Sequence, residues 1–277
     1  DAGINFFDPA PLYGTSEADG TAEEVLGKAL GTDREKVCIA TKFGRYHSRG
    51  HTNELFDAET LTWSVEQSLR RLGTDHIDVL FFHSPTHPDN IKDDVWTAFD
   101  ALKSSGKVRF TGLSCGFMQD TAEMTRAWAD TGKIAVAQVA YSLTYREWEP
   151  NLQHLGEKGV GIVARESLAN GFLAGVFRKD IVFPEGSLNS RYPREEIIER
   201  VELADRYKDV LVRDDVKSLA AAAMRWVIDN PNISTVLSGS RKLEEILDCA
   251  TATDAASYSA KELAAARQLH TKDFTPA

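Results

Sequence analysis

The strongest constraint on this chain is a rhythm. Seven short apolar runs, at residues 4–8, 37–43, 77–83, 108–114, 135–141, 161–165 and 233–237, are each separated from the next by a helix-like stretch. Runs this short, apolar at nearly every position, suit strands of a parallel sheet whose two faces are both covered by helices. The intervening segments carry matching signals. Thr21-Ala-Glu-Glu24 has the form of a capping box, with Gly31 as a helix stop, and Asp57 stands as an N-cap before the stripe Leu61, Val65, Leu69, Leu72 and the stop Gly73. Similar stripes run through 95–102 and through Leu219, Ala223, Trp226 and Val227.

A repeated strand, loop and helix leaves two main architectures, an open doubly wound sheet or a closed barrel. The open sheet normally announces a dinucleotide site by GxGxxG after a strand, and no such motif follows a strand here. The sequence opens at Asp1 and is in its first apolar run by Ile4, so an N-terminal segment with one more strand is expected to be missing. Seven strands and that one make eight. The expected fold class is therefore α/β, a (β/α)8 TIM barrel lacking its first strand in this chain. It is read as one domain over 1–277, with a long loop and helix insertion at about 177–212. Chemistry in such a barrel belongs at the carboxyl ends of the strands.

Charge narrows the partners. Lys+Arg 32 against Asp+Glu 42 leaves a net charge of −10 without a basic cluster, which argues against a nucleic-acid or anionic-membrane surface and for a small-molecule partner. The three cysteines, Cys38, Cys115 and Cys249, are far apart and form no CxxC, as expected of reduced thiols in a cytoplasmic protein. No apolar run approaches the roughly 18 residues of a membrane span.

Three successive runs carry an ionisable residue at, or one place before, their end: Asp8 in INFFD, Lys42 in VCIATKFG and His83 in IDVLFFHSP. Pro9 pushes Asp8 toward an extended conformation. Tyr13 follows in the next loop. A phenol with its ordinary pKa near 10 is a poor acid at neutral pH unless its anion is stabilised, which a nearby Lys42 ammonium would do. Asp8 would pair with that ammonium, and His83 could donate a hydrogen bond to a substrate oxygen.

The stretches GINFFDPAPLYG with EEVLGKAL, VCIATKFGR, IDVLFFHSP, GKVRFTGLS and VARESLANGFLAG, in this order over nearly the whole chain, resemble the aldo-keto reductase family. The resemblance implies a (β/α)8 barrel that moves hydride between a nicotinamide cofactor, usually NADP(H), and a carbonyl or alcohol. It places the catalytic tetrad on Asp8, Tyr13, Lys42 and His83. It further implies that Ser114 and Gln138 hold the nicotinamide carboxamide and that Arg165 stands where many members have a tyrosine beside the ring. The segment with Leu168, Gly171 and Leu173 would cover the pyrophosphate.

After the last run, Ser238, Gly239 and Ser240 precede a helix expected to begin near Arg241, a form suited to anion binding. The resemblance makes this the adenosine 2′-phosphate segment, with Arg241 as cationic partner. Here the pattern departs. Glu245 replaces the usual Gln or Arg, and Asp248-Cys249 replaces Glu-Asn. A carboxylate at Glu245 would oppose a 2′-phosphate, so NADP is the expected cofactor with NAD as the alternative.

Substrate selectivity is expected in the loops 44–56, 84–90, 142–149 and 177–212, where Tyr46, His47, His51, Tyr145 and Trp148 are either mouth aromatics and imidazoles or packing groups. His47 with His51, and His83 with His87, lack a clear third metal ligand, so no metal is expected. Two rival readings use the same residues. Lys42 could be the nucleophile of a Schiff-base aldolase, although an adjacent Asp8 would keep it charged. The chain could also resemble the family's cofactor-binding regulatory subunits of membrane channels.

Overall fold

The computed structural model describes residues 2–50, 53–116 and 119–275, so His51 lies outside the described residues. Two compact units divide the chain, one formed by Ile4–Gln138 with Glu157–Gly161, the other by Val139–Gly156 and most of the chain from Ile162 onward. The first unit alternates β1 (Phe6–Phe7), α1 (Thr21–Leu30), β2 (Cys38–Phe43), α2 (Ala58–Leu72), β3 (Ile77–His83), α3 (Asp94–Ser104), β4 (Val108–Ser114) and α4 (Gln119–Asp130), and enters β5 (Val136–Ala140). Its strands pair in parallel in chain order. The register sets Phe6 beside Cys38, Lys42 beside Phe81, His83 beside Ser114 and Ser114 beside Gln138. Three polar residues therefore stand in one row, at the ends of β3 and β4 and in the middle of β5.

The apolar runs hold this register because they are buried along their length: all seven residues of β3 and five of the six of β2 are out of solvent. Beneath the row, Phe82 packs among Phe43, Trp96, Phe99 and Trp128, with ring centroids 4.8 to 5.5 Å away. Truncating such a buried phenylalanine to alanine costs about 3–5 kcal/mol, so the strand end rests on a firm floor.

The second unit holds the rest of β5, α5 (Glu149–Glu157), β6 (Gly161–Arg165), α6 (Arg194–Leu211), α7 (Leu219–Ile228), β7 (Thr235–Val236), α8 (Leu243–Ala250) and α9 (Ala260–Leu269), with β6 and β7 paired in parallel. In α6, Arg200 is buried between Tyr192 and Phe274, so the charged helix of the insertion is not solvated all round.

Several local expectations need correction. The Thr21–Glu24 capping box does not form: Gly20 is the N-cap, with no side-chain cap bond, and Glu24 donates its backbone N–H to the Gly20 carbonyl. Glu23 is instead buried, accepting from Thr41 Oγ1 at 2.6 Å and pairing with Arg71. The helix expected to begin near Arg241 begins at Leu243, because Lys242 is still extended. β1 and β7 keep only two ladder residues each; Pro9, which has no N–H to donate, closes the first soon after Phe7. The Asp57 cap forms as expected, accepting from Thr60 N at 2.7 Å, and Gly73 ends α2 at φ 65°. The three cysteines are free thiols.

Candidate active site

Asp8 follows β1, Lys42 lies one residue from the end of β2, and His83 is the last residue of β3. The structure brings these three together with Tyr13 inside the first unit. Lys42 is fully buried, its Nζ donating to Asp8 Oδ2 at 2.7 Å and to the Pro9 carbonyl at 3.2 Å. The same ammonium lies 4.6 Å from the centroid of the Tyr13 ring, whose edge meets the His83 imidazole at 5.8 Å between centroids. Burial works against the Lys42 charge, but the Asp8 carboxylate and the Tyr13 phenol more than offset it and hold the ammonium above the usual lysine range.

Tyr13 is 41% exposed while its three partners are largely buried. The phenol thus faces solvent with the buried ammonium and carboxylate behind it. The loop that carries it is a closed turn: Tyr13 N donates to Ala10 O at 3.0 Å and Ala22 N to Tyr13 O at 3.1 Å. Asp19, further along this loop, accepts from the backbone N–H groups of His47 and Ser48 and from Ser48 Oγ, and His47 Nε2 contacts Leu12 O at 3.0 Å.

Ser114 and Gln138 meet in the polar row, with Ser114 Oγ donating to Gln138 Oε1 at 3.1 Å. Gln138 Nε2 is buried with no hydrogen-bond partner among the described residues. An unsatisfied buried amide N–H is costly, so this atom is suited to a carbonyl of a bound group, as a nicotinamide carboxamide would supply. Ser114 and Gln138 thus fit a carboxamide group.

The remaining cofactor candidates lie in the second unit. Arg165 ends β6, its guanidinium 3.7 Å from Glu166, which burial pushes above its usual carboxylate range. Leu168 forms a tight turn whose carbonyl accepts the N–H groups of Gly171 and Leu173, and Leu173 is buried. Ser238 and Ser240 face each other at 2.7 Å, with Gly239 between them. Arg241 donates its backbone N–H to Glu245 at 3.1 Å, so one amide of this anion-binding stretch is already taken by the chain's own carboxylate. Asp248 is a structural partner, accepting from the Ser218 hydroxyl that caps α7.

Among the expected substrate-loop aromatics, Tyr46, Tyr145 and Trp148 are buried and pack internally. Tyr46 accepts Gly44 N at 3.0 Å and stacks edge-on with Trp63. Arg45 and Glu54, which no motif in the sequence singles out, fold their charges inward against the end of β3. The one signal was a pair of opposite charges nine residues apart in a loop beside Lys42.

A buried ammonium thus lies behind an exposed phenol at the strand ends of a parallel sheet, the end at which barrels of this kind carry their active sites. The model of the aldo/keto reductase family matches residues 1–270, and the chain belongs to that family, whose fold class is the (β/α)8 barrel. The uncharacterized oxidoreductase YrpG of Bacillus subtilis (strain 168) is 31% identical over 277 aligned positions, covering 92% of this chain and 79% of the relative. The NADH-specific methylglyoxal reductase of Escherichia coli (strain K12) is 26% identical, over 88% of this chain and 77% of that protein. Among solved structures, a glycerol dehydrogenase from Gluconobacter oxydans aligns with a TM-score of 0.82 at 25% identity, over the whole of this chain and 85% of its own.

Proposed function

We propose that this chain is an NAD(P)H-dependent oxidoreductase that interconverts an aldehyde or ketone and the corresponding alcohol, with Tyr13 as general acid and base. The observation that carries this reading is the fully buried Lys42 ammonium, fixed by Asp8 and lying 4.6 Å from the Tyr13 ring. A bound nicotinamide would supply hydride to the carbonyl carbon or accept it from the alcohol. The chain's own residues handle the proton. Tyr13 gives its phenolic proton to the carbonyl oxygen as charge builds there, Lys42 stabilises the phenolate left behind, and Asp8 keeps Lys42 charged and oriented. His83, edge-on to the phenol, would hydrogen-bond the substrate oxygen and aim it at Tyr13.

Ser114 Oγ and the free Gln138 Nε2 would hold the carboxamide, and the stretch Ser238 to Arg241 would meet phosphate. NADP is the cofactor the resemblance favours, while the Glu245 carboxylate at Arg241 opposes a 2′-phosphate, and one relative is by its name NADH-specific. Fluorescence titration with NADPH and NADH measures the balance. Glu245→Gln is expected to tighten NADPH roughly five- to tenfold, the worth of removing about 1 kcal/mol of repulsion, and to leave NADH unchanged.

The Asp8 to Lys42 ion pair also speaks against a Schiff-base aldolase, because a charged amine is no nucleophile. Tyr13→Phe tests the proposal. Turnover of an aldehyde should fall by about 10² to 10⁴ with cofactor Kd almost unchanged; a variant keeping most of its kcat removes Tyr13 from the mechanism. Saturable cofactor binding without turnover of any carbonyl in the unaltered protein would point instead to a cofactor-binding regulatory protein. Reduced thiols and a small-molecule substrate suit a cytoplasmic setting.

A further inference from the structure

β3 ends in an irregular turn. Ser84 N donates to Phe82 O at 3.0 Å across His83, and Ser84 itself adopts φ 49°, a left-handed conformation disfavoured for a residue with a Cβ. Such a turn persists only when its surroundings over-determine it. Here one side chain supplies the restraint. Arg45 Nε donates to the His83 carbonyl at 2.9 Å and Arg45 Nη2 to the Ser84 carbonyl at 2.8 Å, so a single guanidinium grips two consecutive carbonyls.

The grip is itself anchored. Arg45 Nη2 also donates to Glu54 Oε1 at 2.6 Å, and both side chains are largely buried. Glu54 accepts from Thr86 N at 3.0 Å and from Asn90 Nδ2 at 2.7 Å, which ties the chain just past the turn to the same carboxylate. Entry to the loop is fixed as well: Gly44 has φ 106°, and a Cβ there would lie 2.0 Å from the Phe56 ring. Downstream, Ser84 Oγ lies 3.4 Å from Ser114 Oγ, which donates to Gln138.

We propose that Arg45, anchored by Glu54, is the positioning residue for this site: it holds the strained turn that aims His83 and aligns Ser84 with the Ser114 and Gln138 row. It acts through the backbone carbonyls of His83 and Ser84. Lysine cannot replace it, since a point donor does not span two carbonyls and a carboxylate as a planar fork does. The inference rests on the proposed carbonyl reduction for its kinetic consequence, but its structural content, the setting of His83, can be read without turnover.

The experiment compares the wild type with Arg45→Lys in two readouts: steady-state reduction of 4-nitrobenzaldehyde at saturating NADPH or NADH, and the imidazole resonances of His83 by NMR. Arg45→Lys is expected to lower kcat/KM at least 30-fold, with KM rising and kcat falling together, and to shift the His83 resonances. A lower unfolding midpoint with kcat/KM within twofold and unshifted His83 resonances would make Arg45 a purely stabilising residue and overturn the proposal. Should Arg45→Lys not fold, Glu54→Gln serves, with a roughly fivefold fall in kcat/KM and a His83 shift expected, and no change in either overturning it. If the wild type reduces no aldehyde, the proposed function fails, and the His83 resonances alone decide whether Arg45 sets the turn.

Discussion

Two buried ion clusters occupy the first unit and differ in how completely they are satisfied. At the start of β3, Asp78 is saturated: Oδ2 accepts from Arg34 Nη2 and from Ile39 N, each at 2.8 Å, and Oδ1 from Arg109 Nη1 at 2.6 Å. At the strand ends, Asp8 Oδ1 has no partner among the described residues, and the Lys42 ammonium looks out on an exposed phenol. One carboxylate has spent its lone pairs on holding strands together, while the other cluster keeps capacity for a visitor. In barrels of this type that asymmetry separates the stability face from the chemical face.

The comparison can be broken at either end. Lys42→Met should have the largest effect on turnover, a loss on the order of 10³ in kcat, because the phenolate then lacks its counter-charge. Its unfolding midpoint in urea should move less than that of Asp78→Ala. Asp78→Ala leaves Arg34 buried without its partner and should cost about 3 kcal/mol or more, while the folded fraction keeps its kcat. Equal losses of turnover in the two variants would erase the distinction between the faces.

Their pH responses should have opposite signs. The Lys42 ammonium is held above its ordinary range, so its contribution to stability is present below the unfolded value of about 10.4 and is lost as pH rises through the folded one. Burial of Asp78 works against its charge, but the Ile39 N–H and the two guanidinium groups prevail and hold it below the usual carboxylate range. Its contribution is present above about 3.9 and is lost as pH falls through the folded value. Urea midpoints across pH check this: the gap between wild type and Lys42→Met should close toward alkali, and that for Asp78→Ala toward acid. The smallest effect belongs to the exposed Lys36 and Asp33 pair, where Asp33→Asn should leave the midpoint unchanged.

The strands, and the placing of Asp8, Lys42 and His83 at or beside their ends, were legible in the sequence because both are written locally. An apolar run of five to seven residues with an acid, an ammonium or an imidazole at or beside its end marks both a strand and the end where its polar group stands. What stayed hidden depends on separation along the chain. Asp78 sits inside an apolar run, and its meaning comes from Arg34 and Arg109, more than thirty residues away on either side. Arg45 finds its carbonyls 38 and 39 residues later. The Thr21 to Glu24 pattern misled because Glu23, within the motif and next to its Glu24, was drawn inward by Thr41 and Arg71, a tertiary demand that overrides a local cap.

The aromatic floor beneath β3 has an optical consequence. Phe82 adjoins His83 in the chain and touches the rings of Trp96 and Trp128, which themselves meet edge-on at 4.8 Å. Two indoles so close and so nearly perpendicular couple their transitions. A small displacement of the strand end should therefore register as a change in near-ultraviolet circular dichroism, giving the site a built-in chromophore that reports its geometry without any label.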